Sequence, residues 1–452
     1  MDLLQNPGTK LLGLTLLLVF GASIGLYGVT FGEHTFLLLG TPLIIPLGVL
    51  LFIHPRMLFL LLIGSRCALD PVLESARFTS NFGLGAILNL LLIICACWLC
   101  VQRSEAPIRQ SLLLWCAPLI VMIIGVAYAP DMIPALKRLV AFVSYLAVFT
   151  IGFILVQEEQ LTKLLRTIVL SAVIPLVVGF YQLGTGGLTP DGRLFATFTH
   201  PNIYAFYCLL VLIVLMYLQR IQSDDDTHPP VPFERALQWI LVPALLISIV
   251  LTQTRSAWVA LVAIGLVYGV LFSRKTLIGM ITAVALAALV PSVQDRVMDL
   301  FSGNEVVQYA KLNSFAWRQY IWESGLNWMS PSRYLLGYGI GGFYYYSVDF
   351  FPMSGGQPFG AHNVFIERLF DGGLVAVAVF GTFFLVQFAA AYKIYQHDKF
   401  SALVYFALIL SYLVLNTSDN VIDYLAYNWY YWVVAGALYA HARMILSNHT
   451  NT

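Results

Sequence analysis

Uninterrupted apolar stretches long enough to cross a lipid bilayer as helix recur along almost the whole chain. The hydrocarbon core of a bilayer is roughly 30 Å thick, so about 20 residues of α-helix span it. Only helices and closed barrels satisfy their own backbone groups there. Runs of this kind lie near 11–31, 34–53, 84–101, 109–129, 138–156, 161–182, 202–219, 237–252, 257–272, 276–293, 363–391, 400–417 and 424–441. A weaker run near 57–73 carries Arg66 and Asp70. Hydrophobic residues make up 59% of the chain and charged residues 10%, with a mean hydropathy of +0.81, which excludes an ordinary soluble domain. The alternating pattern of a membrane barrel is missing. The expected fold is an all-α polytopic membrane protein with about 12 to 14 transmembrane helices and one large outer loop that contains short helices.

The first run is expected to persist as a helix rather than be cleaved as a signal peptide, because a second run follows at once and no small-residue cleavage site stands out. Six cysteines, Cys67, Cys95, Cys97, Cys100, Cys116 and Cys208, fall within or beside apolar runs, where thiols behave as small hydrophobes. Neither a disulfide nor a metal site is expected from them.

Counting 57–73 as a crossing places the basic turns on one side: Lys10, Arg56, Arg103 with Arg109, Arg220 with Arg235, Arg274 with Lys275, Lys393 with Lys399, and Arg443. The positive-inside rule makes that side cytoplasmic. The opposite, outer side then receives 183–201, 252–256, 294–362 and 418–423. The chain accordingly divides into N-terminal membrane helices (1–182), membrane helices with arginine-bearing outer loops (183–293), a large outer loop (294–362) and C-terminal membrane helices (363–452). The connector 220–236, with Asp224-Asp225-Asp226 and Pro229-Pro230, reads as a solvated cytoplasmic segment without chemistry. Within the large loop, residues 313–329 have the tryptophans of a helix lying at a membrane interface.

Basic residues on the outer side run against the bias and so ask for a reason. They are Arg193, Arg255 and Arg318. Guanidinium forks match phosphate oxygens and stay charged at any working pH; two or three together suit a diphosphate. The alternatives are a snorkelling anchor for Arg255 and a contact to anionic lipid for Arg318. His200, before a proline, reads first as a helix cap, and Asn202 as a supporting residue. His362 follows a glycine-rich aromatic stretch and opens the last large apolar run at Asn363, where a base active near neutral pH is well placed. Glu367 and His200 are the substitutes should the base be another group.

The order of these motifs carries more than any one of them. Arg193 with Phe198-Thr199-His200-Pro201-Asn202 opens a helix, and Thr254-Arg255-Ser256-Ala257-Trp258 makes a later turn. Trp317-Arg318 then precedes Gly337-Tyr338-Gly339-Ile340-Gly341-Gly342-Phe343 in one loop, and His362-Asn363-Val364-Phe365-Ile366 leads to Gly372-Gly373. In this order, over roughly 185–385, the chain resembles the O-antigen ligase and Wzy-type polymerase superfamily. The resemblance implies a cofactor-free, metal-independent glycosyltransferase of the GT-C type in the bacterial inner membrane, with its active site facing the periplasm. Its donor would be a glycan on undecaprenyl diphosphate; its acceptor, a glycan or lipid A core. Other polysaccharide-assembly membrane proteins are conceivable partners, and nucleic acid is not. Arg193 and Arg255 match the arginines expected to hold the diphosphate, and His362 the histidine expected to activate the acceptor. The Phe-Thr-His-Pro-Asn form with Tyr204-Ala205-Phe206-Tyr207 points to the polymerases; a ligase is the alternative. A flippase fits less well, because the helix centres carry almost no charge.

Overall fold

The computed structural model describes residues 46–75, 77–79, 82–102, 106–224, 231–289, 291–298 and 312–450. The run 11–31, most of 34–53, Lys10, Arg103 and the Asp225-Asp226 and Pro229-Pro230 pairs lie outside the described residues. From the N-terminal end the helices are α1 (Pro55–Arg66), α2 (Asp70–Ser75), α3 (Leu84–Val101), α4 (Ala106–Ala127), α5 (Met132–Gln157), α6 (Leu161–Ser171), α7 (Val173–Thr185), α8 (Pro201–Asp224) and α9 (Pro232–Leu251). They continue as α10 (Arg255–Leu271), α11 (Arg274–Ala287), α12 (Pro291–Met298), α13 (Ser314–Trp328), α14 (Gly342–Phe350), α15 (Val364–Tyr395), α16 (Lys399–Asn416) and α17 (Leu425–Thr450). A two-stranded antiparallel hairpin, β1 (Arg77–Thr79) with β2 (Phe82–Gly83), precedes α3. Among the described residues seven helical stretches are long and apolar enough to cross a membrane, and two shorter apolar helices, Gly85–Val101 and Arg255–Leu271, accompany them. The chain is an α-helical polytopic membrane protein.

Local chemistry explains where the apolar runs break. The run 161–182 is two helices, because Pro175 has no N–H to give the carbonyl of Ser171 one turn back. The Cys67 thiol donates to that carbonyl instead, at 3.1 Å. The weak run 57–73 ends at Arg66, whose guanidinium pairs with Asp70 at 2.5 Å, both buried, and lies 5.2 Å over the Trp429 ring. Within the expected run 276–293 the described helix α11 is 14 residues long, about 21 Å at 1.5 Å per residue.

The centre of the bundle is α5 against α17, its most extensive helix pair. Gly152 and Gly436 permit the approach: a Cβ at Gly152 would stand 2.2 Å from the Val433 carbonyl oxygen, and one at Gly436 would stand 2.0 Å from that of Phe149. Small residues let backbones close in this way when lipid supplies no hydrophobic drive between helices. Hydrogen bonds from Arg193, Asn202, Asn363 and His362 join the connections 189–201, 252–254 and 417–424 to the start of α15 at one end of the bundle.

The segment 334–343 is shaped by a fracture in α15. Gly373 has φ 64° and ψ −164°, which breaks the helical ladder and strands backbone groups that membrane structure must satisfy. The loop supplies the partners. Tyr338 N–H donates to Phe370 O at 3.0 Å and Gly339 N–H to Asp371 O at 2.8 Å, while Leu374 and Val375 donate to the carbonyls of Tyr334 and Leu335 at 2.8 and 3.3 Å. The Asp371 carboxylate accepts from Gly341 N–H at 2.7 Å and Phe343 N–H at 2.8 Å, capping α14. Gly337 (φ 68°) and Gly339 (φ 92°) lie so close to backbone that a Cβ would meet atoms at 2.5 and 2.7 Å. The glycine-rich motif is thus a strap fitted to the Asp371-Gly372-Gly373 break. Aromatic side chains, with Phe343, Phe350 and Phe370 at the centre, pack α13 and α14 onto it.

Candidate active site

His362 sits one residue ahead of the Asn363 cap of α15. The Asn363 side chain accepts from Phe365 N–H at 2.9 Å and Ile366 N–H at 3.2 Å, and its amide donates to Thr417 O at 3.1 Å, fixing the helix start to the end of α16. Capping satisfies donors that a helix start leaves open. His362 itself has φ 49°, a left-handed conformation unfavourable for a residue with a Cβ. Its ring stands edge-on to Trp317 of α13 at 6.3 Å, and the Trp322 indole donates to Ala361 O at 2.6 Å. The large loop therefore aims this ring.

The partner of His362 is Asp419, in the connection from α16 to α17, with Nδ1 to Oδ1 at 3.2 Å. The Asp419 side chain is buried while that of His362 is 42% exposed. Burial by itself raises the Asp419 carboxyl, but hydrogen bonding and charge from His362, with hydrogen bonds from Asn202 and Tyr424, outweigh it and hold the group well below the usual carboxylate range. A carboxylate at Nδ1 makes that nitrogen the N–H donor, which leaves Nε2 as the free base.

Arg193 joins the same network. Its Nε donates to Thr252 O at 2.8 Å, and its Nη2 donates to Asn202 Oδ1 at 2.6 Å and Thr254 Oγ at 3.1 Å. Asn202 turns its Nδ2 to Asp419 Oδ2 at 2.7 Å, so a single side chain touches both the arginine and the carboxylate that holds the histidine. His200 accepts from Asn202 N–H through Nδ1 at 3.1 Å; burial is the main cause that lowers its pKa. It caps α8. Arg255 begins α10 and donates from Nη2 to Ser314 Oγ at 2.6 Å, linking the 252–254 turn to the start of α13. Arg318, half-buried on α13, adds positive potential at His200 and Tyr424. Three arginines and one histidine from separate segments thus converge at one end of the bundle.

Glu367 faces elsewhere. It accepts from the Asn420 amide and pairs with Arg138 of α5 at 3.2 Å, and Arg138 also meets Asp423 at 3.3 Å and Asp371 at 3.9 Å. Asn420 N–H donates to Asp419 Oδ1 at 3.0 Å, so the Arg138 cluster abuts the dyad. Sequence reading missed Asp419, Asp423 and Arg138. The first two had a signal in Ser418-Asp419-Asn420-Val421-Ile422-Asp423, two acids in a short connection between apolar runs; Arg138 was hidden as the first residue of an apolar run.

Residues 240–381 match the family model Wzy_C, described as O-antigen ligase. The matched segment contains Arg255, Arg318, His362, Asn363 and Glu367, and it ends before Asp419. No curated protein is a match to the chain. The order of motifs read from the sequence and the family match over residues 240–381 agree: this segment of the membrane protein is similar to the O-antigen ligase family.

Proposed function

We propose that the protein is a bacterial inner-membrane glycosyltransferase that polymerises oligosaccharide units carried on undecaprenyl diphosphate, at the periplasmic face of a 12-to-14-helix membrane domain. The observation that supports it best is the continuous contact Arg193–Asn202–Asp419–His362, which holds a cation for a diphosphate and a base for a hydroxyl in one frame. His362 Nε2 takes the proton of the acceptor hydroxyl as its oxygen attacks the anomeric carbon. The bond from that carbon to the diphosphate oxygen breaks with its electron pair leaving on oxygen. Arg193, Arg255 and Arg318 stabilise the charge that builds there. Attack opposite the leaving group inverts the anomeric carbon. Three guanidinium groups, those of Arg193 and Arg255 held by hydrogen bonds, supply the positive charge that a metal ion would otherwise provide.

The second reading is transfer of the finished glycan to lipid A core, and the family description as O-antigen ligase favours it. Surface and lipid-linked glycans of a deletion strain separate the two. Single repeat units attached to core indicate a lost polymerase; long chains left unattached indicate a lost ligase.

A further inference from the structure

A cavity of about 490 Å³ lies between α4, α15 and α17, at the end of the bundle away from His362. Arg443, which lines it, stands about 27 Å along α17 from Leu425 at 1.5 Å per residue. The buried rings of Phe383 and Tyr439 form its floor, and Leu113 of α4 and Val386 of α15 its walls. Both wall residues are exposed on the outer surface of the bundle, and the facing Ala117 and Ala378 are short, so the cavity opens sideways between the two helices. The lining runs from Gln110 to Pro118 on α4 and from Ala378 to Val386 on α15. Each stretch covers about 12 Å at 1.5 Å per residue, most of the roughly 15 Å that one leaflet contributes to the hydrocarbon core.

One end of this cavity is basic. Arg443 Nε donates to Gln110 Oε1 at 3.2 Å, a neutral partner, and Arg109 is exposed one residue before Gln110. Among the described residues no carboxylate lines the cavity. The two ends together select the occupant. A free anion would meet the guanidinium and leave the apolar walls unfilled, and an uncharged lipid would fill the walls and bring no counter-charge. We propose that the cavity holds an acyl chain of an anionic phospholipid from the bilayer, with the lipid phosphate on Arg443 and Arg109. Guanidinium forks match phosphate oxygens, and an anionic lipid surface favours each nearby basic residue by about 5-fold. The bound lipid bridges α4 to α15, the helix whose cap follows His362, and touches none of the residues placed in the transfer site. The assignment therefore stands apart from the glycosyltransferase reading.

The test titrates the purified full chain, in an uncharged detergent, with three probes: dioleoyl phosphatidylglycerol, dioleoyl phosphatidylcholine, and glycerol 3-phosphate as a head without chains. Native mass spectrometry reads the bound fraction. Phosphatidylglycerol is expected to bind at least about 5-fold more tightly than phosphatidylcholine, and glycerol 3-phosphate more weakly than either. Arg443→Gln should lower the affinity for phosphatidylglycerol about 5-fold and leave that for phosphatidylcholine unchanged. Ala117→Phe, which fills the cavity without touching a charge, should lower both about 10-fold. Lys275→Gln, an exposed charge lost at the start of α11, should change neither. Melting temperature without added lipid reports the fold of each variant, and Ala117→Phe decides alone if Arg443→Gln does not fold. Equal affinity for the two lipids overturns the proposal. So does a preference kept by Arg443→Gln, wild-type binding by Ala117→Phe, or an equal loss in Lys275→Gln.

Discussion

Asp419, in the connection from α16 to α17, holds His362 through Nδ1 at 3.2 Å, and Asn202 ties the other oxygen of Asp419 to Arg193 at one remove. This makes Asp419 a positioning residue. Asp419→Asn keeps the shape but removes the charge and allows the wrong ring tautomer. Turnover should fall about 10²- to 10⁴-fold, while binding of lipid-linked donor stays within a few-fold of wild type. Equal losses of both, or neither, would show that the contact is only structural.

The same carboxylate gives a pH dependence of stability. Its folded pKa is depressed, so its contribution is present in full above the ordinary carboxylate range and is lost as pH falls through the lowered folded value. His200 acts in the same direction for a different reason. Its folded pKa is lowered mainly by burial, so the unfolded chain takes up the proton first and stability falls as pH drops through the ordinary histidine range. Thermal unfolding in detergent between pH 7.5 and 5 should show this decline, and His200→Gln should flatten it. An unchanged slope in that variant contradicts the assignment.

Arg193 and Arg255 should each cost about 2–4 kcal/mol of transition-state stabilisation when changed to Ala, the scale of one lost preorganised donor. Arg193→Lys should recover little, because a single ammonium cannot reproduce the geometry that reaches Thr252, Asn202 and Thr254 together. Rates with purified protein and lipid-linked donor decide it. Wild-type turnover in folded Arg193→Ala protein removes Arg193 from the site.

The break in α15 is testable through glycine. At Gly373 an added Cβ would stand 2.3 Å from the Leu335 carbonyl oxygen with φ 64°, whereas at Gly381 of the same helix it meets nothing within 4 Å. Gly373→Ala should destabilise by at least about 1–3 kcal/mol from overpacking, and Gly381→Ala should be neutral or nearly so. Detergent-solubilised yield and melting temperature measure both. Equal behaviour of the two variants would contradict the strap geometry.

Much of this architecture was legible because lipid imposes a simple rule on sequence: apolar runs of sufficient length, interrupted where chemistry intervenes. Arg193, Arg255 and Arg318 stood out because arginines in connections read as outer oppose the orientation bias, and His362 because it follows a glycine-rich aromatic stretch at the start of an apolar run. Asp419 did not stand out, since acidic residues contribute little to that bias and its partner lies 57 residues away in sequence. Arg138 begins an apolar run, and only the folded bundle brings Glu367, Asp371 and Asp423 around it. The glycine-rich stretch was visible as a motif, yet its reason is the broken ladder at Gly373, which no local pattern announces. Proline, by contrast, does mark a break: Pro175 stands just after the junction of α6 and α7, within a run that hydropathy alone reads as continuous.

The most direct test measures donor binding and transfer on the same preparation of His362→Ala, without added divalent metal. The account predicts that the variant folds, binds lipid-linked donor like wild type, and transfers sugar about 10² to 10⁴ times more slowly. Wild-type transfer by the well-folded variant would contradict it, as would an absolute requirement for metal in the wild-type protein.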